Sequence, residues 1–483
     1  MAIFRRVGVI LLFVLGVVAS LAAANINDPY LTRVAGTGNM LLAGSSIGVV
    51  AALAWRRVWR HRMGRVLLLL WCLPPVLMAG ALGVFHLGRQ EALGASAVEA
   101  RELGPHFVVG YSSFEEVAVL AQRGLIGGIY LTWHNIRGRS ADEMRREIDA
   151  LQALRRDAGL PALTVAADQE GGVVNHLAPL AAKRPSLATL ADLAPEQRQL
   201  KAEEFGRDQG RDLAALGVTL NLAPVLDLKP QRPPSRYDTH TRIANRAIAS
   251  DPDVVTEIGR AYVHGLAEAG VGAAIKHFPG LGRIRTDTHH FAAHLDVPVT
   301  ELEASDWRPF RDVLATSQAR LMVAHIRLTA VDPTRAVSHS KAVVQGIIRD
   351  RWNYQGIIIT DDMEMGAVYH YGICTAVVEA LNAGVDQLLV AYDGAQFYRI
   401  FNCALDGLRD GRLDAAMLEQ SKARLQRVLP AGEGNVNARS VVPAAVPATT
   451  PVEHDQVPAQ HSSCRPRAIG GNGPVPCVDA GRG

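Results

Sequence analysis

Eight short, uninterrupted apolar runs recur through the middle of this chain, at 107–109, 126–131, 163–167, 219–223, 273–275, 321–324, 357–360 and 388–390. A strand with one wet face alternates apolar and polar residues. Runs that are apolar throughout indicate strands covered on both faces, as in a parallel sheet. Amphipathic, helix-like segments lie between the runs, for example at 141–157, 197–216, 253–269 and 341–352. About eight such units predict an α/β fold, a closed (β/α)8 TIM-type barrel over roughly residues 100–430. No Gly-x-Gly-x-x-Gly follows the first run, so a dinucleotide-binding sheet loses support.

In such a barrel the residues just past the strands' C-terminal ends build the working face. The third run is followed by Asp168-Gln169-Glu170-Gly171-Gly172, and the fourth by Pro224-Val225-Leu226-Asp227. The fifth ends in Lys276-His277, the sixth in His325, the seventh in Asp361-Asp362 and the eighth in Asp393. Asp227, His325 and Asp393 read equally well as capping or satisfied core groups. After Lys276-His277 the chain passes through Phe278-Pro279-Gly280-Leu281-Gly282 into a loop carrying Asp287 and His289. Two residues apart in extended chain means the same side, so Asp287 can orient the His289 imidazole and stabilise its charge. That pair is a candidate general acid/base. His290 is then expected to face away from Asp287.

Residues 1–90 read as a membrane anchor with two or three transmembrane segments. Apolar stretches cover 7–24, 40–55 and 66–85, the last interrupted only by Pro74 and Pro75. A bilayer core takes about 20 apolar residues per helix. The first and third stretches meet that, and the second is marginal. Between the second and third lies Arg56-Arg57-Val58-Trp59-Arg60-His61-Arg62-Met63-Gly64-Arg65, a basic cluster that belongs in the cytoplasm. The loop before the second stretch has Arg33 as its one base and belongs outside. The first stretch ends in Ala22-Ala23-Ala24, which resembles a signal-peptide cleavage site. Three spans, or two after cleavage, both put everything past residue 90 on the extracytoplasmic, periplasmic side of the inner membrane.

Net charge is +3, too small to point to a nucleic-acid partner. Cys374 and Cys403 lack metal-ligand spacing, while Cys464 and Cys477 could pair in an oxidising compartment. Residues 431–483 are rich in Pro, Ala, Val, Ser and Gly without periodicity, and read as a disordered tail.

Asp168-Gln169-Glu170-Gly171-Gly172, Lys276-His277-Phe278-Pro279-Gly280, Asp287-Thr288-His289 and Ile359-Thr360-Asp361-Asp362-Met363 resemble the motifs of glycoside hydrolase family 3. They most resemble its β-N-acetylhexosaminidase branch. Asn221 to Asp227, Ala244-Asn245-Arg246-Ala247 and Ala383-Gly384-Val385-Asp386 follow in family order. The resemblance implies a retaining mechanism with Asp361 as nucleophile. It implies His289 as acid/base with Asp287 as partner, and Asp168, Arg246, Lys276 and His277 holding the sugar hydroxyls. The implied substrate is a cell-wall or chitin-like oligosaccharide with β-linked N-acetylglucosamine at its non-reducing end. No metal and no organic cofactor is implied.

Three positions depart from the family pattern. Val173 stands where an Arg is usual, Leu281 where a His is usual, and Arg283 where a small or acidic residue is common. Val173 and Leu281 leave open a non-catalytic sugar-binding protein, and a histidine acid/base, which does not repel phosphate as a carboxylate would, leaves open a glycoside phosphorylase on the same scaffold. The family's β-glucosidase branch adds a second domain with a glutamate acid/base; the 431–483 segment is too short to be one.

Overall fold

The computed structural model describes residues 2–25, 32–232, 240–391 and 394–428. Asp393, the tail at 431–483, and with it Cys464 and Cys477, lie outside the described residues.

Eight parallel strands close into a barrel, in agreement with the eight apolar runs. They are β1 (Phe107–Gly110), β2 (Gly128–Leu131), β3 (Thr164–Ala167), β4 (Leu220–Asn221), β5 (Gly272–Phe278), β6 (Arg320–Val323), β7 (Ile358–Asp362) and β8 (Gln387–Val390). β1 pairs with β2 on one side and β8 on the other, which closes the ring. Two cores explain why the strands carry no polar alternation. Val108, Tyr130, Ala166, Leu220, Ala274, Met322, Ile359 and Leu389 fill the barrel as a cluster of their own. Phe107, Val109, Ile129, Val165, Ile275, Leu321, Ile358 and Leu388 pack in a separate cluster with the surrounding helices. The tip of β5 is wedged among aromatic rings. Phe278 lies 5.4 Å from Trp307, 5.8 Å from Phe310 and 5.1 Å from Trp352 between ring centroids. Full burial of such a ring contributes about 2–3 kcal/mol.

Three long helices open the described chain: α1 (Ala2–Ala24), α2 (Thr32–Trp55) and α3 (Arg62–Gly94). Each contains a stretch long and apolar enough to cross a membrane. The second stretch, marginal by sequence, gains length because its helix begins well before residue 40. α3 runs unbroken through Pro74 and Pro75. α1 packs along α3, where the Trp71 indole donates to the Leu12 carbonyl at 3.0 Å.

One bond went unassigned in the sequence. Cys374 and Cys403 form a disulfide between the helices Ile373–Ala383 and Gly394–Arg409, neighbours on the barrel wall. Their 29-residue separation carries no spacing signal, because the partners meet only once β7 and β8 are adjacent. Cross-linking a loop of this size stabilises by about 2–4 kcal/mol. Cys374→Ser should therefore lower the unfolding free energy by that amount in denaturant titrations, and a reductant should produce the same loss in the parent chain. An unchanged parent midpoint under reductant would mean that the bond contributes nothing.

Candidate active site

Buried charge gathers where β3 and β5 end. Past β3 the chain folds into a hairpin of Gln169–Gly171 and Val174–Asn175. The Asn221 side chain at the tip of β4 clasps it, accepting from Gln169 N at 3.0 Å and donating to Gln169 O at 2.9 Å. From β5, the Lys276 ammonium bonds to Asp168 and lies 2.6 Å from Glu170. Arg246 grips Glu170 with two parallel hydrogen bonds of 2.6 and 2.9 Å. Lys276 and Glu170 are buried and Arg246 nearly so. Burial pushes the Glu170 carboxyl up, but the Arg246 and Lys276 charges outweigh it and hold it far below the usual carboxylate range. Burial likewise lowers Lys276, and the Asp168 and Glu170 charges reverse that. Asp168 stays partly open, with Tyr130 Oη donating to its other oxygen at 3.3 Å.

Asp227 lies fully buried beneath the next residue. His277 Nδ1–H donates to it at 2.6 Å, while His277 Nε2 accepts from Arg246 at 3.3 Å. The other Asp227 oxygen accepts the Leu281 backbone N–H at 2.7 Å. Asp227 thus fixes both the imidazole and the Pro-Gly-Leu-Gly loop. Gly280 has φ of 107°, a backbone region that disfavours other residues. A Cβ on Gly282 would lie 2.2 Å from the Leu228 carbonyl oxygen. Two departures from the family pattern find a structural place here. The Leu281 side chain is buried in the core, and Arg283 is paired with Asp306 and Glu301.

The loop then delivers Asp287 and His289. The Asp287 carboxylate accepts from His289 Nδ1 at 3.0 Å and from its backbone N–H at 3.1 Å. It also accepts from Thr241 Oγ1 and from the His240 backbone N–H, each at 3.0 Å. Burial raises its proton affinity, but His289 and these donors hold the carboxyl far below the usual range. With Nδ1 committed, Nε2 is the His289 nitrogen that can exchange a proton with a ligand. The ring is 28% exposed. His290 does not face away as expected. It donates or accepts at 3.0 Å with His240, and the donor atoms of His240, Asp287 and His290 lie within 4.8 Å of one another. That spacing would suit a metal ion, but the Asp287 oxygens are already engaged by four donors.

β7 ends in two carboxyls with opposite surroundings. Asp362 turns into the wall, where one oxygen accepts the backbone N–H groups of Glu364 at 3.1 Å and Ala391 at 3.0 Å. Burial, with the Asp361 charge beside it, pushes its pKa up to about 7. Burial acts on Asp361 too, but the imidazoles of His277, His325 and His289 and the Asp362 backbone N–H hold it below the usual range. His325 is fixed between Ser338 Oγ at 2.8 Å and the Asp362 carbonyl at 3.0 Å. Adjacent carboxyls are thereby driven apart in proton affinity, so that Asp361 carries the charge. The structure brings Asp168, Arg246, Lys276, His277, Asp287, His289 and Asp361 to one end of the barrel. It adds Glu170, Thr241 and His240, and it gives Asp227, left undecided by the sequence, a place beneath His277. Glu170 stood inside a motif. Thr241 and His240 had no signal, because the loop after β4 reaches the dyad only in three dimensions.

A barrel with an ionised carboxylate and a histidine–aspartate pair at its mouth has the parts of an enzyme that acts on glycosidic bonds. Residues 101–428 match the glycosyl hydrolase family 3 N-terminal domain, so the chain belongs to that family and is a glycoside hydrolase. A β-hexosaminidase of Nitrosomonas eutropha is 33% identical over 297 residues, 60% of this chain and 81% of that protein. One of Pseudomonas aeruginosa is 31% identical over 319 residues, 65% and 86% of the two chains. The glycoside hydrolase family 3 β-N-acetylglucosaminidase of Paenibacillus sp. FPU-7 superposes with a TM-score of 0.62 at 27% identity. The overlap covers 68% of this chain and 61% of that longer one. The β-N-acetylhexosaminidase of Beutenbergia cavernae gives 0.60 at 25% identity, over 69% and 98%.

Asp362 generates a pH test. Its raised pKa means that it favours the fold at low pH and that this contribution is lost as pH rises through about 7. Asp362→Asn removes the titration. Between about pH 5 and pH 8 the parent should lose stability relative to Asp362→Asn. Parallel unfolding free energies across that window would contradict the assignment.

Proposed function

We propose that this chain is a retaining β-N-acetylhexosaminidase. It removes terminal β-linked N-acetylglucosamine from cell-wall or chitin-like oligosaccharides. The observation that carries this reading is the Asp361 carboxyl, surrounded by imidazoles, at one mouth with the Asp287-bound His289 imidazole. Asp361 attacks the anomeric carbon while His289 protonates the departing oxygen, leaving a covalent glycosyl-enzyme. His289 then takes a proton from water, which displaces Asp361 and releases the sugar with its configuration retained. Asp287 balances the imidazolium at each protonated stage. Asp168 accepts sugar hydroxyls from the non-reducing-end subsite. Lys276, Arg246 and His277 line that subsite and hold Asp168 and Glu170 in place. The names of the relatives above support the choice of sugar.

The N-terminal helices anchor the enzyme. α1–α3 span the membrane three times, the basic turn at 56–65 stays cytoplasmic, and the hydrolase domain at 100–430 lies on the extracytoplasmic side, followed by the 431–483 tail. The Cys374–Cys403 bond supports this, since disulfides persist in oxidising compartments. The packing of α1 on α3 favours retention of the first helix.

Two substitutions test the chemistry. Asp361→Asn keeps shape and removes the attacking charge, so substrate binding should persist while turnover falls to background. His289→Ala should cost about 10²–10⁴-fold on substrates with poor leaving groups and much less in the glycosylation of an activated aryl glycoside. Equal losses on both substrates would assign His289 to loop support alone.

A further inference from the structure

The way the barrel hangs from α3 decides which of its ends meets the bilayer. The last turns of α3 lie along the wall helix Gly394–Arg409, and their contacts advance in step. Phe85 packs on Tyr398 with ring centroids 5.9 Å apart. The Gly88 carbonyl accepts from Asn402 Nδ2 at 2.8 Å, and Glu91 meets Arg409 at 3.4 Å. The two helices therefore run in the same sense. In a (β/α)8 barrel each wall helix starts near the C-terminal ends of the strands and descends to their N-terminal ends. Tyr398 is thus near the catalytic end and Arg409 near the foot. A second wall helix, Phe114–Gln122, agrees. Glu116 in its first turn bonds to Tyr398 Oη at 2.6 Å and Arg89 at 3.4 Å, while Arg123 just past its end bonds to the Ala95 carbonyl at 3.2 Å. Followed outward from its apolar part, α3 meets the catalytic end of the barrel first and the foot last.

The level of contact matters as much as the direction. Residues 66–85 of α3 span about 30 Å as a helix, the thickness of a bilayer's hydrocarbon core. Phe85 then marks the edge of that core, so the headgroup layer lies level with the barrel mouth. The rim suits such a layer. Trp133 after β2, Val173 after β3 and Phe291 after β5 are 49%, 56% and 61% exposed. They are large apolar side chains on three separate strand-to-helix connections of one end, Trp133 opening the short helix Trp133–Ile136. Tryptophan favours the membrane–water boundary. Val173 stands where the family usually has an arginine.

We infer that the catalytic mouth faces the bilayer in which α1–α3 sit, with Trp133, Val173 and Phe291 at headgroup level. The enzyme takes its terminal sugar from lipid-linked glycans held at that surface. This rests on the membrane anchoring proposed above and specifies the substrate class of the same site.

The test uses the full chain in vesicles. A fluorophore is attached at Trp133→Cys on the rim or at Asp157→Cys, at the foot end of the wall helix Ala141–Asp157, with labelling of the parent chain subtracted. Lipids carrying a nitroxide on the headgroup serve as the quencher. The rim label should be quenched and the foot label should not. Quenching of the foot, or equal quenching of both, in protein that floats with the vesicles overturns the orientation while leaving the anchor intact. Protein that does not float with the vesicles overturns the anchor and the orientation together. A matched assay addresses the substrate. A lipid-linked β-N-acetylglucosaminide in the same vesicles should be cleaved at least about tenfold faster than a soluble one at equal bulk concentration, because both partners share one surface. Trp133→Asp should reduce that ratio and leave the soluble rate unchanged. A ratio near one with active enzyme overturns the substrate class, and failure to cleave either compound overturns the glycosidase reading itself.

Discussion

The Lys276 ammonium, buried at the tip of β5, has two carboxylates in reach, Asp168 and Glu170, and Glu170 is shared with Arg246. Removing one partner from such a buried pair costs about 3–5 kcal/mol, because it strands an uncompensated charge. The network therefore ties β5 to the hairpin after β3 and to the loop after β4. The segment that follows Lys276 is tied to that knot. His277 follows Lys276 directly and is trapped between Asp227 and Arg246. Asp227 also holds Leu281 N, so the glycine-containing turn leaves the barrel in a single direction. Asp287 and His289 emerge from that turn and are caught by Thr241 and His240.

Electrostatics then separates residues of the same kind. Asp361 and Asp362 are neighbours in sequence with the same side chain. One lies among imidazoles at the mouth, and the other points into the wall beside the end of β8. The first carries negative charge and the second resists it. In the dyad, four donors converge on the Asp287 carboxylate, and one of them is the Nδ1 of His289. Strand ends supply the buried charges of the mouth, while a loop supplies the histidine–aspartate pair. The docking of α3 adds a direction to this arrangement, since the end of the barrel that carries the charges lies nearest the apolar part of α3.

Much of the fold was legible because a strand buried on both faces must be apolar at every position, and that pattern does not depend on what it packs against. The strand-end residues Asp168, Lys276, His277 and Asp361 were legible for the converse reason: polar groups recur where the apolar runs stop. Asp227 and His325 were ambiguous, and the structure makes them holders of His277 and of the Asp362 backbone. Asp386, part of a motif-like stretch, is fully buried away from the mouth with Arg349 and Arg424. Contacts made across the sequence were not legible. The Cys374–Cys403 bond, the reach of Thr241 to Asp287 and the pairing of His290 with His240 depend on which loops become neighbours. Lys276 and Arg246, read as donors to sugar, also bond to Asp168, Glu170, the Thr241 carbonyl and His277. Sequence gives their charge but not their partners.

In the proposed mechanism Asp361 bonds covalently to the sugar during turnover. An activated fluorosugar analogue of N-acetylglucosamine, with fluorine placed to slow breakdown of the glycosyl-enzyme, tests it directly. Mass spectrometry of the digested protein should find one added sugar on the peptide containing Asp361, and the adduct should disappear as activity returns. Binding of the analogue without an adduct, or an adduct on any other residue, would contradict the account.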